Sequence, residues 1–250
     1  MAVTRLGFFA ALCFIGLSAT FASPNSRIIG GWDVVSGEQP WVASIRVDNA
    51  HVCTGTIICK KRILTAAHCV SQLGTTPIDA KRITVRIGSV NQYAGGEIRE
   101  IEEVRIHPSY GNFLHDVALL FFTESLEFND KYNKIWFAGA DDVIEDRASV
   151  TVAGWGLLST GATPYKLQET KMTVLSAPEC EYEAGYGYES ILCLQHPVNE
   201  GICRGDDGAG VYVDGILYGV ISFAFGSCGT KYPDIASKVS YYEEWINNNH

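Results

Sequence analysis

Cations are scarce in this chain: 19 Lys and Arg stand against 28 Asp and Glu, a formal net charge of −9 over 250 residues. Phosphate backbones and anionic lipid heads repel such a surface, which argues against nucleic acid and membrane as partners. Apolar runs long enough to span a bilayer are missing, and so are repeats, low-complexity stretches and a Pro/Ser-rich linker. No Asn-x-Ser/Thr sequon occurs, so N-glycosylation is not expected. Hydrophobic residues make up 47% and charged residues 19%, an ordinary globular composition. The length suits one large all-β domain or two small ones.

The N-terminus reads as an address. Arg5 opens a positive start, Leu6 to Leu17 is mostly apolar, and Thr20-Phe21-Ala22 offers small residues for signal peptidase. Residues 1–22 are therefore expected to be a signal peptide, followed by a short propeptide, Ser23 to Arg27. A membrane anchor would need roughly 20 apolar residues where this stretch has about twelve. Secretion into the extracellular space is the expectation.

Secretion makes the cysteines readable. Of the 8, Cys13 leaves with the leader; Cys53, Cys59, Cys69, Cys180, Cys193, Cys203 and Cys228 remain. In an oxidising compartment they read as bridges rather than metal ligands or redox groups, and spacing alone does not fix which pairs with which. No metal and no cofactor are expected.

Short β-rich runs are separated by turn signals. Trp41 to Val47, Ile83 to Ile87, Val117 to Phe122, Val150 to Ala153 and Val211 to Ile221 are the clearest, the last broken by a hairpin signal at Asp214-Gly215. Only Val239 to Asn249 reads as helical, with Tyr242, Trp245 and Ile246 on one face. These patterns give an all-β protein of the barrel or sandwich kind and no function.

Three blocks carry chemistry: Leu64-Thr65-Ala66-Ala67-His68-Cys69, His115-Asp116-Val117-Ala118-Leu119-Leu120, and Gly205-Asp206-Asp207-Gly208-Ala209 after Cys203-Arg204. Arg27-Ile28-Ile29-Gly30-Gly31 stands before them, and Gly154-Trp155-Gly156 between the second and third. In this order they resemble a chymotrypsin-like serine protease, from Ile28 to the C-terminus. The resemblance implies two packed six-stranded antiparallel barrels with a C-terminal helix over residues 28–250, and the cleft between the barrels. It also implies bridges Cys53 to Cys69, Cys180 to Cys193 and Cys203 to Cys228, with Cys59 left over.

By the same resemblance, His68 matches the general base, Asp116 the carboxylate that orients it, Ser222 a supporting serine, and the amides of Gly205 and Asp207 the oxyanion hole. Arg27, Ile28 and Asp206 match the activation switch, in which a freed Ile28 amine pairs with Asp206. Gly201, Ile202, Ser222, Phe223, Ala224 and Asp234 match the specificity pocket. Gly201 stands at its floor where a trypsin-like member carries aspartate. Asp234, where glycine is usual, either holds a basic substrate side chain or is solvated.

One position breaks the pattern: Asp207 stands where the attacking serine belongs. A carboxylate attacking an amide must form an anhydride, which reverts faster than an amine leaves. Its charge would also oppose the developing oxyanion by about 4 kcal/mol at an effective dielectric of 20, roughly a thousandfold in rate. Loss of the serine from a comparable triad costs on the order of a millionfold. The chain is thus similar to the non-catalytic serine protease homologues of arthropod extracellular fluids, with an extracellular protease, substrate or inhibitor as partner. The alternatives are an endopeptidase of unorthodox mechanism and a structural or reservoir protein. His68, between Asp116 and Asp207, is expected to favour its charged form. Cys59 precedes Lys60-Lys61-Arg62 and is expected to be either exposed and reactive, linking chains through a disulfide, or buried and inert.

Overall fold

The computed structural model describes Met1 and residues 30–250. The rest of the leader, the propeptide, Arg27 and Ile28 lie outside the described residues.

Strand alternation builds the first barrel. In Ile83–Ile87, Ile83, Val85 and Ile87 are buried while Thr84 and Arg86 turn outward, the period of two that a half-buried strand demands. The closed ring runs Val42–Val47, Ala50–Cys59, Arg62–Thr65, Ala118–Phe122, Glu97–Ile106, Ile83–Ile87 and back to Val42–Val47. All six pairings are antiparallel.

The second ring runs Gln168–Val174, Ser149–Gly154, Gly210–Val213, Ile216–Ala224, Asp234–Lys238, Ile191–Gln195 and closes on Gln168–Val174. At its hairpin, Asp214 (φ 52°) and Gly215 (φ 76°) both take positive φ, the tight turn expected from Asp-Gly. Four short strands lie outside the rings, of which Ser71–Leu73 and Thr76–Pro77 pair with each other. Trp32–Asp33 pairs with Gln168 and Glu169, and Trp136–Phe137 runs parallel to Ile216 and Leu217. The all-β, two-barrel expectation therefore holds. Where the barrels meet, Trp155 is buried and its indole N–H donates to the Val90 carbonyl at 3.1 Å, giving a large apolar ring its polar partner across the seam.

The helix reading needs correction. Val239 to Asn249 is a short 3-10 turn, Val239–Tyr242, leading into an α-helix, Glu243–Asn248. A second α-helix, Ala177–Ala184, was missed. Ser176 and Glu179 exchange hydrogen bonds as a capping box, and Gly185 closes the helix in the left-handed region at φ 74°.

The bridges are those the resemblance implies: Cys53 to Cys69, Cys180 to Cys193 and Cys203 to Cys228. With sequence separations of 16, 13 and 25, each contributes about 3 kcal/mol through lost chain entropy. Among the described residues Cys59 is the free cysteine, and it is neither exposed nor fully buried. A bulge at the end of its strand brings Arg62 Nε to 3.3 Å from its sulfur. Lys60 and Lys61 reach instead to Glu127 and Glu102.

Candidate active site

Strand register assembles the site. Thr65 pairs with Ala118 across two neighbouring strands of the first barrel. That register puts His68, in the 3-10 turn Ala67–Cys69, beside Asp116. Ser222 comes from the second barrel, on Ile216–Ala224. Asp116 is wholly buried and its carboxylate is fully engaged. Its Oδ1 accepts from the His68 backbone N–H at 2.9 Å, its Oδ2 from His68 Nδ1 at 2.7 Å, and Oδ2 also from the Ser222 hydroxyl. This fixes the imidazole with its proton on Nδ1 and with Nε2 toward the Cys53 to Cys69 bridge, 3.8 Å from Cys69 Sγ.

The loop carrying Asp207 is pinned from both barrels. Thr54 Oγ1 donates to the Gly205 carbonyl at 3.1 Å, and His51 Nε2 reaches the same oxygen at 3.2 Å. The Thr54 amide donates to the Asp207 carbonyl, and the Gly208 amide to Ile221. Burial pulls His51 down to a pKa of about 4. It is therefore neutral, donating from Nε2 to Gly205 while Nδ1 accepts from Ser44 at 2.8 Å. Gly208 cannot be replaced cheaply: its φ is +80°, and a Cβ would lie 2.2 Å from Thr65 Oγ1.

The Gly205 N–H donates to Asp207 Oδ2 at 3.3 Å. The sequence placed Asp207 as a second carboxylate flanking His68. The structure agrees: the Asp207 charge helps to raise the His68 pKa, and among the described residues it acts without a hydrogen bond to the imidazole. Burial lowers the His68 pKa, but the Asp116 hydrogen bond and charge, then the Asp207 charge, outweigh it and leave it raised. Burial raises Asp207, against the pull of His68 and the Gly205 amide. A base with a raised folded pKa contributes stability that is complete below its unfolded pKa of about 6.5 and is lost as pH rises through the folded value. An NMR titration should find His68 above an ordinary histidine, and Asp207→Asn should lower it. A His68 that titrates below the ordinary value, or ignores Asp207→Asn, contradicts this electrostatic account.

Asp206 is wholly buried, its carboxylate accepting from Gly156 N at 2.7 Å and Cys203 N at 3.0 Å. Burial outweighs these amides and pushes its pKa up to about 7. Gly30 lies hard against Glu200, so close that a Cβ there would sit 2.3 Å from Glu200 Cγ.

The pocket differs from both readings offered for Asp234. Its carboxylate is neither solvated nor open to a substrate cation. The side chain is 2% exposed; Oδ2 accepts from the Ile202 amide at 3.0 Å and lies 3.3 Å from Nε2 of His196, itself 1% exposed. A Cβ on Gly201 would meet the His196 ring at 2.7 Å, so the imidazole fills the space against the floor. Ile202 and Ser222 are buried, and Ser222 is engaged with Asp116. Phe223 and Ala224 remain half-buried. On this side a chain of rings runs from His68 through Phe113, Phe223, Tyr186 and Phe225 to Tyr232, each centroid 5.2 to 6.2 Å from the next. His51, His196 and Phe113 were not read from the sequence, and only their distant partners give them meaning.

A two-barrel body with a histidine, a buried aspartate and a pinned glycine loop at the seam defines a chymotrypsin-like protein. Residues 28–246 match the trypsin family, and the chain belongs to it. Serine protease SP24D of Anopheles gambiae is 33% identical over 223 residues, covering 89% of this chain and 80% of its own length. Trypsin epsilon of Drosophila erecta is 28% identical over 230 residues, covering 89% and 87%. Among solved structures, neuropsin, a serine protease expressed in the limbic system of mouse brain, superposes with a TM-score of 0.78. It covers 87% of this chain and 97% of its own at 24% identity. No helix among the described residues is long and apolar enough to cross a membrane.

Proposed function

We propose that this chain is a secreted, non-catalytic member of its family that works by binding an extracellular protein at its cleft. One observation carries the reading: the Gly205 amide, matched to the oxyanion hole, donates to the Asp207 carboxylate. The group that replaces the nucleophile thus lacks a hydroxyl and also occupies the donor that the tetrahedral oxyanion would need. The leader at residues 1–22 and three bridges support secretion. A fluorophosphonate probe, which requires an activated hydroxyl, should leave the purified wild-type protein unlabelled; labelling at the cleft overturns the proposal.

The activation switch belongs to the same reading. Burial places a burden of about 4 kcal/mol on ionised Asp206, the gap between the ordinary aspartate value of 3.8 and about 7. An acid raised in this way contributes stability that is complete below its unfolded pKa and lost as pH rises through about 7. Cleavage after Arg27 supplies an amine at Ile28 that pairs with this carboxylate and removes the burden. Cleaved protein should therefore melt several degrees above uncleaved protein at neutral pH, and Asp206→Asn should abolish the difference. Equal melting temperatures for wild-type protein before and after cleavage would show that the switch is unused.

A further inference from the structure

Beside the loop at Gly205, away from the chain of rings, lies a cavity of about 470 Å³ lined by Arg46, Gln92, Tyr93, Trp155 and Arg204 among others. Among the described residues no Asp or Glu lines it. That is unusual in a chain with 28 acidic residues against 19 basic ones. Elsewhere Arg62 and Arg86 donate to backbone carbonyls, and four other arginines are matched to carboxylates: Arg82 with Asp48, Arg99 with Glu97, Arg105 with Glu103 and Arg147 with Glu179. Those at the cavity are not. Arg46 donates to the Asn49 carbonyl at 2.5 Å. Arg204 is exposed, and among the described residues no carboxylate pairs with either. Arg46 also bears on its neighbours, its charge helping to lower the pKa values of Arg86 and His51. His51 is neutral and adds no charge of its own.

A second observation points to an occupant. Gln92 is 4% exposed, and its Nε2 donor has no partner among the described residues. A buried donor left unpaired is costly, and Gln92 lines the cavity, so a turn of its amide toward an entering acceptor oxygen would relieve it. Tyr93, exposed and set edge-on to Tyr165 at 5.5 Å, forms an amphipathic rim.

We infer that this cavity receives an acidic segment, Asp or Glu side chains on an extended stretch of a partner protein, between the Arg46 and Arg204 guanidinium groups. Guanidinium takes carboxylate in a forked, charge-assisted pair, and a net-acidic protein presenting cations at one place discriminates by charge. The chain's own leader does not fit, because residues 1–29 contain no Asp or Glu. This inference rests on the binding role proposed above and names the chemistry of the partner.

The test is fluorescence anisotropy with a blocked, labelled peptide rich in Glu and Asp, against its Gln and Asn counterpart. The acidic peptide should bind at least about tenfold more tightly, with affinity falling as salt rises. Arg204→Ala should weaken it about tenfold, Arg204→Lys less, and Arg204→Ala with Arg46→Ala further still. Arg204 is exposed, so its variants should fold and keep the reading interpretable. Equal binding of the two peptides, no binding of either, or indifference to Arg204→Ala overturns the inference, as does self-association of the protein with the same arginine dependence. Fluorophosphonate labelling is a separate readout. An unlabelled protein that ignores the acidic peptide sinks this inference alone, and a labelled one sinks the non-catalytic reading.

Discussion

Asp207→Ser should turn an unlabelled protein into one that reacts with a fluorophosphonate, with a labelling rate at least about a thousandfold above wild type. Everything around the position is already in place. Asp116 holds His68 through Nδ1 at 2.7 Å, and Ser222 holds Asp116. Thr54 and His51 keep the Gly205 carbonyl turned away. The substitution supplies the missing hydroxyl and frees the Gly205 amide from the carboxylate it now serves. Ala209 and Gly210, where the family usually has glycine and proline, should keep peptide hydrolysis modest even in the labelled variant. A folded Asp207→Ser protein that stays unlabelled would show that the cleft is broken elsewhere.

His196→Ala should cost about 3–5 kcal/mol of folding stability, the usual penalty for removing one partner of a buried pair. Asp234 and His196 are each almost sealed from water, and burial already raises the Asp234 carboxyl. The pKa of His196 is raised too; burial lowers it, but the Asp234 contact outweighs burial. Without the imidazole, Asp234 must either ionise unpaired or take up a proton, so the loss should grow as pH rises from below the ordinary aspartate value of 3.8 toward neutrality. The double variant His196→Ala, Asp234→Asn should recover part of the stability, because no charge is then stranded. Urea denaturation of the four proteins measures the coupling. A His196→Ala cost below about 1 kcal/mol would mean that the pair does not hold the pocket floor.

What the sequence yielded depends on how locally each feature is encoded. His68, Asp116 and Asp207 sit in short contiguous blocks, and the resemblance could place them. The strand Glu97–Ile106 was unreadable by pattern: of its ten residues only Ile101 is buried, and Arg99 and Arg105 are tied to Glu97 and Glu103 on the outer surface. Ladders on both sides, rather than hydrophobic alternation, hold it in the barrel. The helix Ala177–Ala184 buries only Cys180. Its periodicity was therefore silent, although Ser176, Pro178, Glu179 and Gly185 spelled out its start and stop. The pocket was beyond reach. His196 and Asp234 come before and after Asp207 in the sequence, and nothing near either announces the other. The loop that turns the Asp207 carboxylate toward the Gly205 amide is itself held by Thr54 and His51 of the other barrel, far away in sequence.

Peptide hydrolysis by contaminant-free protein, already cleaved after Arg27, tests the central claim most directly. Wild type and Asp207→Ala should give the same rate, that of the buffer alone, across a mixed peptide library. Turnover by the wild type that Asp207→Ala abolishes would make Asp207 a working nucleophile and contradict the account.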